Sequence, residues 1–287
     1  MLDGKAGEAV RIAMSILADL GDAVEAQEMT EIVHVHTDSG FYLDENRKAE
    51  ILIKCQNLAE NILTDPSFYP LLGYLAGHKA GNRVIAIEGI PKTVSVDSLK
   101  GLGAAAASSG SIALFHVIGV TPEAHTREMC LKEQSPRDVI AVTPQMIRAM
   151  EEKLWTSAEE RIEWVGFGCP HFSFSEFKEL AGMIKGQQVH KSVEVTVFTS
   201  RNIHTWIKQL GILKILKDAG IEVYTDGCLL LYPRKMSHTG TMMTNSGKAA
   251  NYIYSQAGLR AAYGSIKDCV DSAIEGKIIR RGSAWLR

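Results

Sequence analysis

The stretch RIEWVGFGCPHFSFSEFKELAGMIKG, residues 161–186, contains a strand-like run, a polar turn and an amphipathic helical pattern in direct succession. Its β-branched and aromatic start predicts a strand, and Ser173 with Glu176 matches the capping box that opens a helix. The same order returns in VEVTVF, residues 193–198, which is followed by a helical pattern over 202–220 and another strand-like run. Strands that alternate with helices of this length predict parallel βαβ units, and therefore an α/β fold.

The alternation extends toward the N-terminus as far as about residue 80. Strand-like runs at 82–89, 111–120 and 138–142 are separated by helical patterns at 95–109 and 145–155. A chain of 287 residues is long enough to bury one large core or two modest ones. The sequence therefore predicts parallel or mixed sheets flanked by helices over most of its length.

The first 80 residues are less regular. Predicted helices at 8–22 and 45–63 flank a short strand-like run at 31–40. We therefore expect a mostly helical N-terminal segment at 1–80 and an α/β core at 81–287, with only a weak boundary between them.

The composition argues against several classes of protein. The chain is 46% apolar and has a net charge of −2, from 31 basic and 33 acidic residues. This balance argues against disorder and against binding to nucleic acids or anionic membranes. No apolar run approaches the roughly 18–20 residues that span a bilayer. The start, MLDGKAGEAV, lacks the basic and apolar segments of a signal peptide, so we expect a cytoplasmic protein.

Five cysteines are scattered along the chain, and an odd, unclustered set argues against a disulfide framework. Cys55, Cys130 and Cys269 fall within helical patterns, where we interpret them as small buried hydrophobic residues. Cys169 and Cys228 differ from these three, because each lies in a polar turn that follows a predicted strand.

Polar turns follow four of the predicted strands. These turns are Gly168-Cys169-Pro170-His171, Thr199-Ser200-Arg201, Asp226-Gly227-Cys228 and Thr121-Pro122-Glu123. In open parallel sheets ligands bind beyond the carboxyl ends of the strands, so we expect the four turns to meet in one crevice. Two cysteines from separate turns fit metal or iron–sulfur ligation. The alternatives are two small packed residues, or a Cys169 nucleophile with His171 as its base.

Two segments carry groups that bind anions. Ser200 and Arg201 open a predicted helix, either as an anion site of helix N–H groups and a guanidinium, or as a serine cap beside a solvent-facing arginine. The segment Thr244-Asn245-Ser246-Gly247-Lys248 resembles a phosphate loop superficially but lacks the G-x-x-x-x-G-K-[ST] pattern. No dinucleotide-binding G-x-G-x-x-G follows any of the predicted strands.

Long motifs run through the chain in a fixed order. They are MLDGKAGEAVRIAMSIL (1–17), YLDENRKA (42–49), ALFHVIGVTPEA (113–124), GCPHFSFSEF (168–177), FTSRNIHTWIKQLGILKILKDAGIEVYTDGC (198–228) and TNSGKAANY (244–252). In this order they resemble the large, catalytic part of the aconitase X family. The resemblance implies an aconitase-like fold and an iron–sulfur-dependent dehydratase that removes water from a small hydroxy acid. Cis-3-hydroxy-L-proline is the first substrate that it suggests, and mevalonate 5-phosphate is the second.

The resemblance also implies a partner. In this family a small swivel domain closes the site and supplies a catalytic serine base, sometimes as a separate subunit. All the motifs found here belong to the large part. We therefore expect a separate small subunit to carry the base, which leaves no catalytic residue assigned in this chain.

Individual residues follow from the matched motifs. Cys169 and Cys228 match two of the three cysteines that ligate the cluster in the family. The residues that the resemblance places near the substrate are Ser200, Arg201, Asn245, Ser246, Lys248, His171 and His36. Arg201 and Lys248 are expected to bind a carboxylate, and His171 to contact the substrate or to lie behind the cluster. For His36, an ordinary strand histidine is the alternative.

One departure from the family concerns the third cysteine. In the family a long stretch that holds this cysteine precedes the LDENR motif, whereas here EIVHVHTDSG (31–40) runs almost directly into FYLDENRKA (41–49). Cys55 matches no ligand position. Either the protein lacks this segment or this sequence omits it. The departure motivates an alternative of another class, a cluster-free binding or scaffold relative.

Overall fold

A computed structural model of the chain describes residues 48–132, 134–158, 160–231 and 240–280. The strands are β1 (Ile51–Lys54), β2 (Ile85–Glu88), β3 (Phe115–Val117), β4 (Asp138–Ala141), β5 (Trp164–Phe167), β6 (Glu194–Thr199), β7 (Ile221–Thr225), β8 (Thr241–Thr244) and β9 (Arg260–Tyr263). The helices are α1 (Glu60–Leu63), α2 (Phe68–Ala80), α3 (Val96–Gly110), α4 (Arg127–Leu131), α5 (Pro144–Leu154), α6 (Phe174–Ile184), α7 (Arg201–Gln209), α8 (Ile212–Asp218), α9 (Gly247–Ala257) and α10 (Ile266–Glu275).

The first half of the described chain forms a parallel sheet with the strand order β3-β2-β1-β4. The isoleucines of β1 and β2 that point to one face are buried against α2, α3 and α5. Leu52 and Ala86 point to the other face, where the short helix α4 contributes Cys130 and Leu131 to a smaller core. Burial on both faces explains the continuous apolar run of β1.

Helices α2 and α3 approach each other unusually closely, and glycines make this approach possible. A Cβ atom added at Gly73 would lie 2.1 Å from the carbonyl oxygen of Leu102. A Cβ atom added at Gly110 would lie 2.1 Å from the carbonyl oxygen of Gly77. The backbones of the two helices therefore pack directly on each other, with no side chain between them.

The second half forms another parallel sheet, with the strand order β7-β6-β5-β8-β9. One face packs against α6, α7, α8 and α10 around a core that includes Phe167 and Val197. The opposite face carries Trp164, Phe198 and Met242 into the same core as the first sheet, with α9 packed between the two halves. The predicted α/β fold of parallel sheets flanked by helices is confirmed.

The helix predicted at 45–63 is wrong for most of its length, because residues 51–54 form strand β1 and the helix there is limited to Glu60–Leu63. Leu52 and Ile53 are both fully buried, on opposite faces of the sheet. A short apolar run buried on both sides carries no period that separates strand from helix. The predicted helix over 202–220 is divided into α7 and α8 at Gly211, whose φ is 75°.

The division expected near residue 80 falls between β1 and β2, which are neighbours in one sheet. Helix α2 connects these strands and is buried over most of its length. The predicted helix at 8–22 and strand at 31–40, which includes His36, lie outside the described residues. Among the helices that the structure describes, none is long and apolar enough to cross a membrane.

Candidate functional site: a cleft between the two sheets

A cleft of about 330 Å³ lies between the two halves of the molecule. Helix starts line it: Ser67 at α2, Ser95 at α3, Ser175 at α6, Ser246 at α9 and Ser265 at α10. Ser95, Ser246 and Ser265 each accept a hydrogen bond from a backbone N–H in the first turn of their own helix. Since the N-terminal end of a helix carries partial positive charge, the cleft suits an anionic group.

Cys169 borders this cleft at the end of β5. Gly168 has a φ of 92°, and a Cβ atom there would lie 2.1 Å from the carbonyl oxygen of Phe198. Only glycine fits this position, so the chain can turn sharply as it leaves the strand. The Cys169 side chain is only 6% exposed, and its carbonyl oxygen accepts a hydrogen bond from the hydroxyl of Ser246.

His171 connects the turns that carry the two candidate cysteines. Its Nε2 lies 3.0 Å from the carbonyl oxygen of Gly227, the residue before Cys228. A carbonyl oxygen only accepts, so Nε2 donates in this bond and carries the proton. The ring is buried, and His171 does not line the cleft. This bond commits Nε2 to Gly227 and gives no support to the hypothesis that His171 activates Cys169 as a base.

Ser200, Arg201 and Cys228 lie at the same end of the second sheet but do not line the cleft. Ser200 is buried and accepts a hydrogen bond from the backbone N–H of Ile203 at 3.4 Å, as the cap of α7. The Arg201 guanidinium forms an ion pair with Asp226. Cys228 is exposed. The positions of Ser200 and Arg201 therefore match the alternative of a serine cap beside a solvent-facing arginine.

The segment that follows β8 does reach the cleft. Asn245 and Ser246 line it, together with the first residue of α9. The Ser246 hydroxyl accepts from the N–H of Ala249 at 3.0 Å, and the Ser246 N–H donates to the Thr244 hydroxyl at 3.1 Å. Lys248, the next residue of α9, is half-buried and is not among the lining residues.

The turn after β3 is separate from these groups. Strand β3 lies at the edge of the first sheet, and the segment 121–123 does not line the cleft. The hydroxyl of Thr121 instead accepts from the backbone N–H of Val117 at 3.0 Å. The expectation that four turns meet is therefore wrong for this one. Strand periodicity does not reveal that the strands are divided between two sheets.

A charged network that the sequence analysis missed joins the two halves at the cleft. Lys100 of α3 contacts Asp97 at 3.0 Å and Glu176 of α6 at 2.7 Å. Asp97 also accepts a hydrogen bond from the hydroxyl of Ser173 at 2.8 Å. We call these four residues the Lys100 network. The capping box of Ser173 and Glu176 is the visible sequence signal, but it does not disclose that Glu176 also binds a lysine from the other half.

The charges in this network shift one another. Burial opposes the charge on Lys100, but the carboxylates of Glu176 and Asp97 outweigh it, so the pKa of Lys100 is raised. Burial raises the pKa of Glu176, although Lys100 acts in the opposite direction. Glu179, one turn further along α6, also has a raised pKa, because of burial and then of Glu176 and Asp97. The carboxylates therefore repel one another, and Lys100 offsets this repulsion.

The described residues do not complete a three-cysteine cluster site. Cys55, Cys130 and Cys269 are buried in three different apolar cores, and burial raises the pKa of the Cys55 thiol to about 12. Cys169 and Cys228 follow β5 and β7, which are separated by β6. Across the described ranges, no group of three or more His, Cys, Asp or Glu side chains is arranged to hold a metal ion. An iron–sulfur cluster therefore does not fit the described residues alone.

Family models cover most of the described chain. The model of the aconitase X second domain matches residues 49–152, and the model of the aconitase X third domain matches residues 162–275. These two ranges correspond to the two sheets. The family models thus divide the chain near residues 153–161.

Individual relatives point to the same family. Cis-3-hydroxy-L-proline dehydratase from Pseudomonas aeruginosa is 35% identical over 251 residues, covering 86% of this chain and 43% of that protein. The phosphomevalonate dehydratase large subunit from Methanosarcina mazei is 34% identical over 246 residues, covering 85% of this chain and 57% of that protein. The crystal structure of Thermococcus kodakaraensis aconitase X in its holo-form matches with a TM-score of 0.69 at 27% identity, over 80% of this chain and 56% of that chain. The chain spans about half the length of the curated relatives that it matches.

Proposed function

This chain belongs to the aconitase X family, whose second and third domains it contains, and on that premise we propose that it forms the catalytic part of a dehydratase for a small hydroxy acid. The observation that carries the proposal is the cleft between the two domains, where the starts of several helices converge. Asn245 and Ser246, from the motif TNSGKAANY (244–252), both reach this cleft. We assign the side-chain amide of Asn245 to the carboxylate of the substrate, beside the N-terminal turn of α9. Ser246 lines the cleft but donates its hydroxyl proton to Cys169 and its N–H to Thr244, so it has no donor left for the substrate.

The charges of the cleft favour cis-3-hydroxy-L-proline as the substrate. Four acidic side chains line the cleft, namely Asp65, Asp97, Glu176 and Glu179. Two lysines, Lys100 and Lys267, also line the cleft, and both are paired with carboxylates. An amino acid brings an ammonium group for the acidic side and a carboxylate for the helix starts, so it matches this arrangement.

Mevalonate 5-phosphate is the second candidate. The phosphomevalonate dehydratase large subunits among the relatives support it at about the same sequence identity. Its phosphate and carboxylate are both negative, and the acidic side chains of the cleft oppose them. Arg201 and Lys248 were expected to supply positive charge, but neither lines the cleft.

The proposal includes an iron–sulfur cluster and a small subunit for the complete enzyme. Cys169 and Cys228 are the candidate ligands in this chain, and the described residues do not complete the site of a cluster. Relatives named as large subunits imply small-subunit partners for those proteins, and we propose one for this chain, carrying the base. The five cysteines form no disulfide, in keeping with the proposed cytoplasmic location.

A second function, from another class, is a cluster-free binding protein built on the same domains. The observation that favours it is the incomplete cysteine set. Such a protein would retain the cleft and its ligand but would contain no iron and dehydrate nothing. Iron content and dehydratase activity together therefore separate the two functions.

The test is anaerobic purification with a co-expressed small subunit, followed by iron and sulfide analysis and dehydration assays on both candidate substrates. We expect iron and sulfide that are lost in Cys228→Ser, together with turnover of cis-3-hydroxy-L-proline that is lost in Asn245→Ala. Lys214→Ala, on the exposed surface of α8, is the matched control and should leave both unchanged. An iron-free protein that still binds the substrate would instead establish the binding protein.

A further inference from the structure

We infer that Lys100 is a positioning residue, whose ammonium group holds the turn Cys169-Pro170-His171 against the start of α3 and thereby fixes Cys169 at the edge of the cleft. Lys100 reaches this turn directly, since its Nζ lies 2.9 Å from the carbonyl oxygen of His171. The inference deepens the proposed function, on which it rests, because Cys169 borders the proposed substrate cleft.

The contacts of Lys100 account for all its hydrogen-bonding capacity. Its Nζ lies 2.9 Å from the His171 carbonyl oxygen, 2.7 Å from a Glu176 carboxylate oxygen and 3.0 Å from an Asp97 carboxylate oxygen. A lysine ammonium has three N–H donors and no acceptor. Three acceptors at these distances therefore use every donor. Lys100 thus has no proton left for a ligand in the cleft, which distinguishes a positioning role from substrate binding.

The turn is held at both ends by other elements. On one side the Ser246 hydroxyl, at the start of α9, donates to the carbonyl oxygen of Cys169. On the other side Lys100 donates to the carbonyl oxygen of His171. The His171 ring also donates to the carbonyl oxygen of Gly227, and this bond connects the turn to the loop of Cys228. The anchor from Lys100 is the one that comes from the first domain.

Removing the ammonium group would affect the turn in two ways. The carbonyl oxygen of His171 would lose its donor, and Glu176 and Asp97 would face each other without a positive charge between them. Glu176 also binds the chain just after this turn, because its carboxylate accepts from the backbone N–H of Ser173 at 2.8 Å. Repulsion of Glu176 would therefore move α6 and the turn that precedes it.

The chain offers an internal test through its five cysteines. Iodoacetamide labelling of the native chain, resolved by cysteine with mass spectrometry, measures the access to each thiol. In the wild type, exposed Cys228 should react fast and Cys169 slowly, since Cys169 is 6% exposed. In Lys100→Met we expect labelling of Cys169 to accelerate by about tenfold or more, while Cys55 and Cys269 stay protected in their cores.

Two variants make the test decisive. Lys267→Met removes the other lysine of the cleft, whose ammonium binds Asp271, and should leave the labelling of Cys169 within twofold of the wild type. Lys100→Arg keeps the charge but has a planar fork that does not place donors on all three acceptors, so its effect should be intermediate. If Lys100→Met does not fold, Lys100→Arg decides, with an expected increase of at least threefold.

Two results would overturn the inference. One is a Cys169 labelling rate within twofold of the wild type in the Lys100 variants. The other is an equal acceleration at Cys55 and Cys269, which would indicate general loosening of the fold. Because thiol access is read without substrate or cofactor, an inactive protein can still confirm the positioning role, and an active one can refute it.

Discussion

Gly168 joins β5 to the turn of Cys169 in a backbone conformation that side chains avoid, with a φ of 92°. We expect Gly168→Ala to destabilise the protein for two reasons. A left-handed conformation costs about 1–2 kcal/mol for a residue with a Cβ atom, and displacing the crowded Phe198 backbone costs about 1–3 kcal/mol more. Urea denaturation measures the loss in the free energy of unfolding.

Gly186→Ala is the matched control for this substitution. Gly186 also has a positive φ, of 78°, but no atom lies within 4 Å of the added Cβ. It should show only the conformational cost. Equal losses in the free energy of unfolding in the two variants would mean that crowding against the Phe198 backbone adds no cost at Gly168.

Glu151 is a buried carboxylate on α5, 3% exposed. One of its oxygens has no hydrogen-bond partner among the described residues, and the guanidinium of Arg280 is 3.8 Å away from it. Burial raises the pKa of Glu151, with Arg280 acting in the opposite direction. Between the ordinary and the raised pKa, the folded state holds the proton more tightly than the unfolded state, so stability falls as the pH rises through this interval.

Glu151→Gln removes this ionisation. We therefore expect the free energy of unfolding of the variant, relative to the wild type, to increase as the pH rises above the ordinary glutamate pKa of about 4. Urea denaturation at a series of pH values measures it. Glu152→Gln, on the exposed side of the same helix, is the control for replacing a glutamate by glutamine in α5. A constant difference between Glu151→Gln and the wild type would contradict the assigned effect of burial.

At the scale of elements, the contact between α2 and α3 depends on bare backbone. Gly73→Ala would place a Cβ atom 2.1 Å from the Leu102 carbonyl oxygen, so the helices would have to separate. We expect the free energy of unfolding to fall by about 1–3 kcal/mol or more, as for other overpacked cores. Thermal or urea unfolding of the purified variant checks this.

The comparison for this element is Gly182→Ala in α6. No atom lies within 4 Å of the added Cβ at Gly182, so alanine there should stabilise the helix by up to about 1 kcal/mol. The two glycine-to-alanine substitutions should thus have opposite signs. A neutral Gly73→Ala would refute the direct backbone packing of α2 and α3.

Most elements of the fold could be predicted from local pattern, and the exceptions have physical reasons. Strands β5 and β6 are predicted by β-branched runs that end in polar turns, and the capping box of Ser173 and Glu176 predicts the start of α6. Strand β1 resembled a helix because Leu52 and Ile53 are buried on opposite faces of the sheet. When no face of an element is exposed, its apolar residues show neither the two-residue period of a strand nor the 3.6-residue period of a helix.

The site was less predictable than the fold, because it is made of contacts between distant segments. Cys169, Asn245 and Ser246 were identified from their motifs and do line the cleft. Arg201 was expected at the substrate, but its guanidinium pairs with Asp226 from the next strand. Lys100 was missed, because a lysine on an amphipathic helix gives no sign that its ammonium group binds a carboxylate 76 residues away.

At the scale of the whole molecule, the cleft exists only because two domains meet. One large core extends from the first sheet to Trp164 and Met242 of the second, with α9 packed against α2 and α3. The Lys100 network crosses the same boundary at the surface of the cleft. The domain interface therefore positions the proposed substrate-binding groups, and its integrity is a condition for the proposed function.

The most direct test of the central claim is a calorimetric titration of the purified chain with cis-3-hydroxy-L-proline and, separately, with mevalonate 5-phosphate. We predict that cis-3-hydroxy-L-proline binds more tightly, and that Asn245→Ala weakens it by about tenfold, the loss of one hydrogen bond to a charged group. Lys214→Ala should leave the affinity unchanged. Absence of binding for both compounds, or equal affinity in Asn245→Ala, would contradict the claim that this cleft recognises a small hydroxy acid.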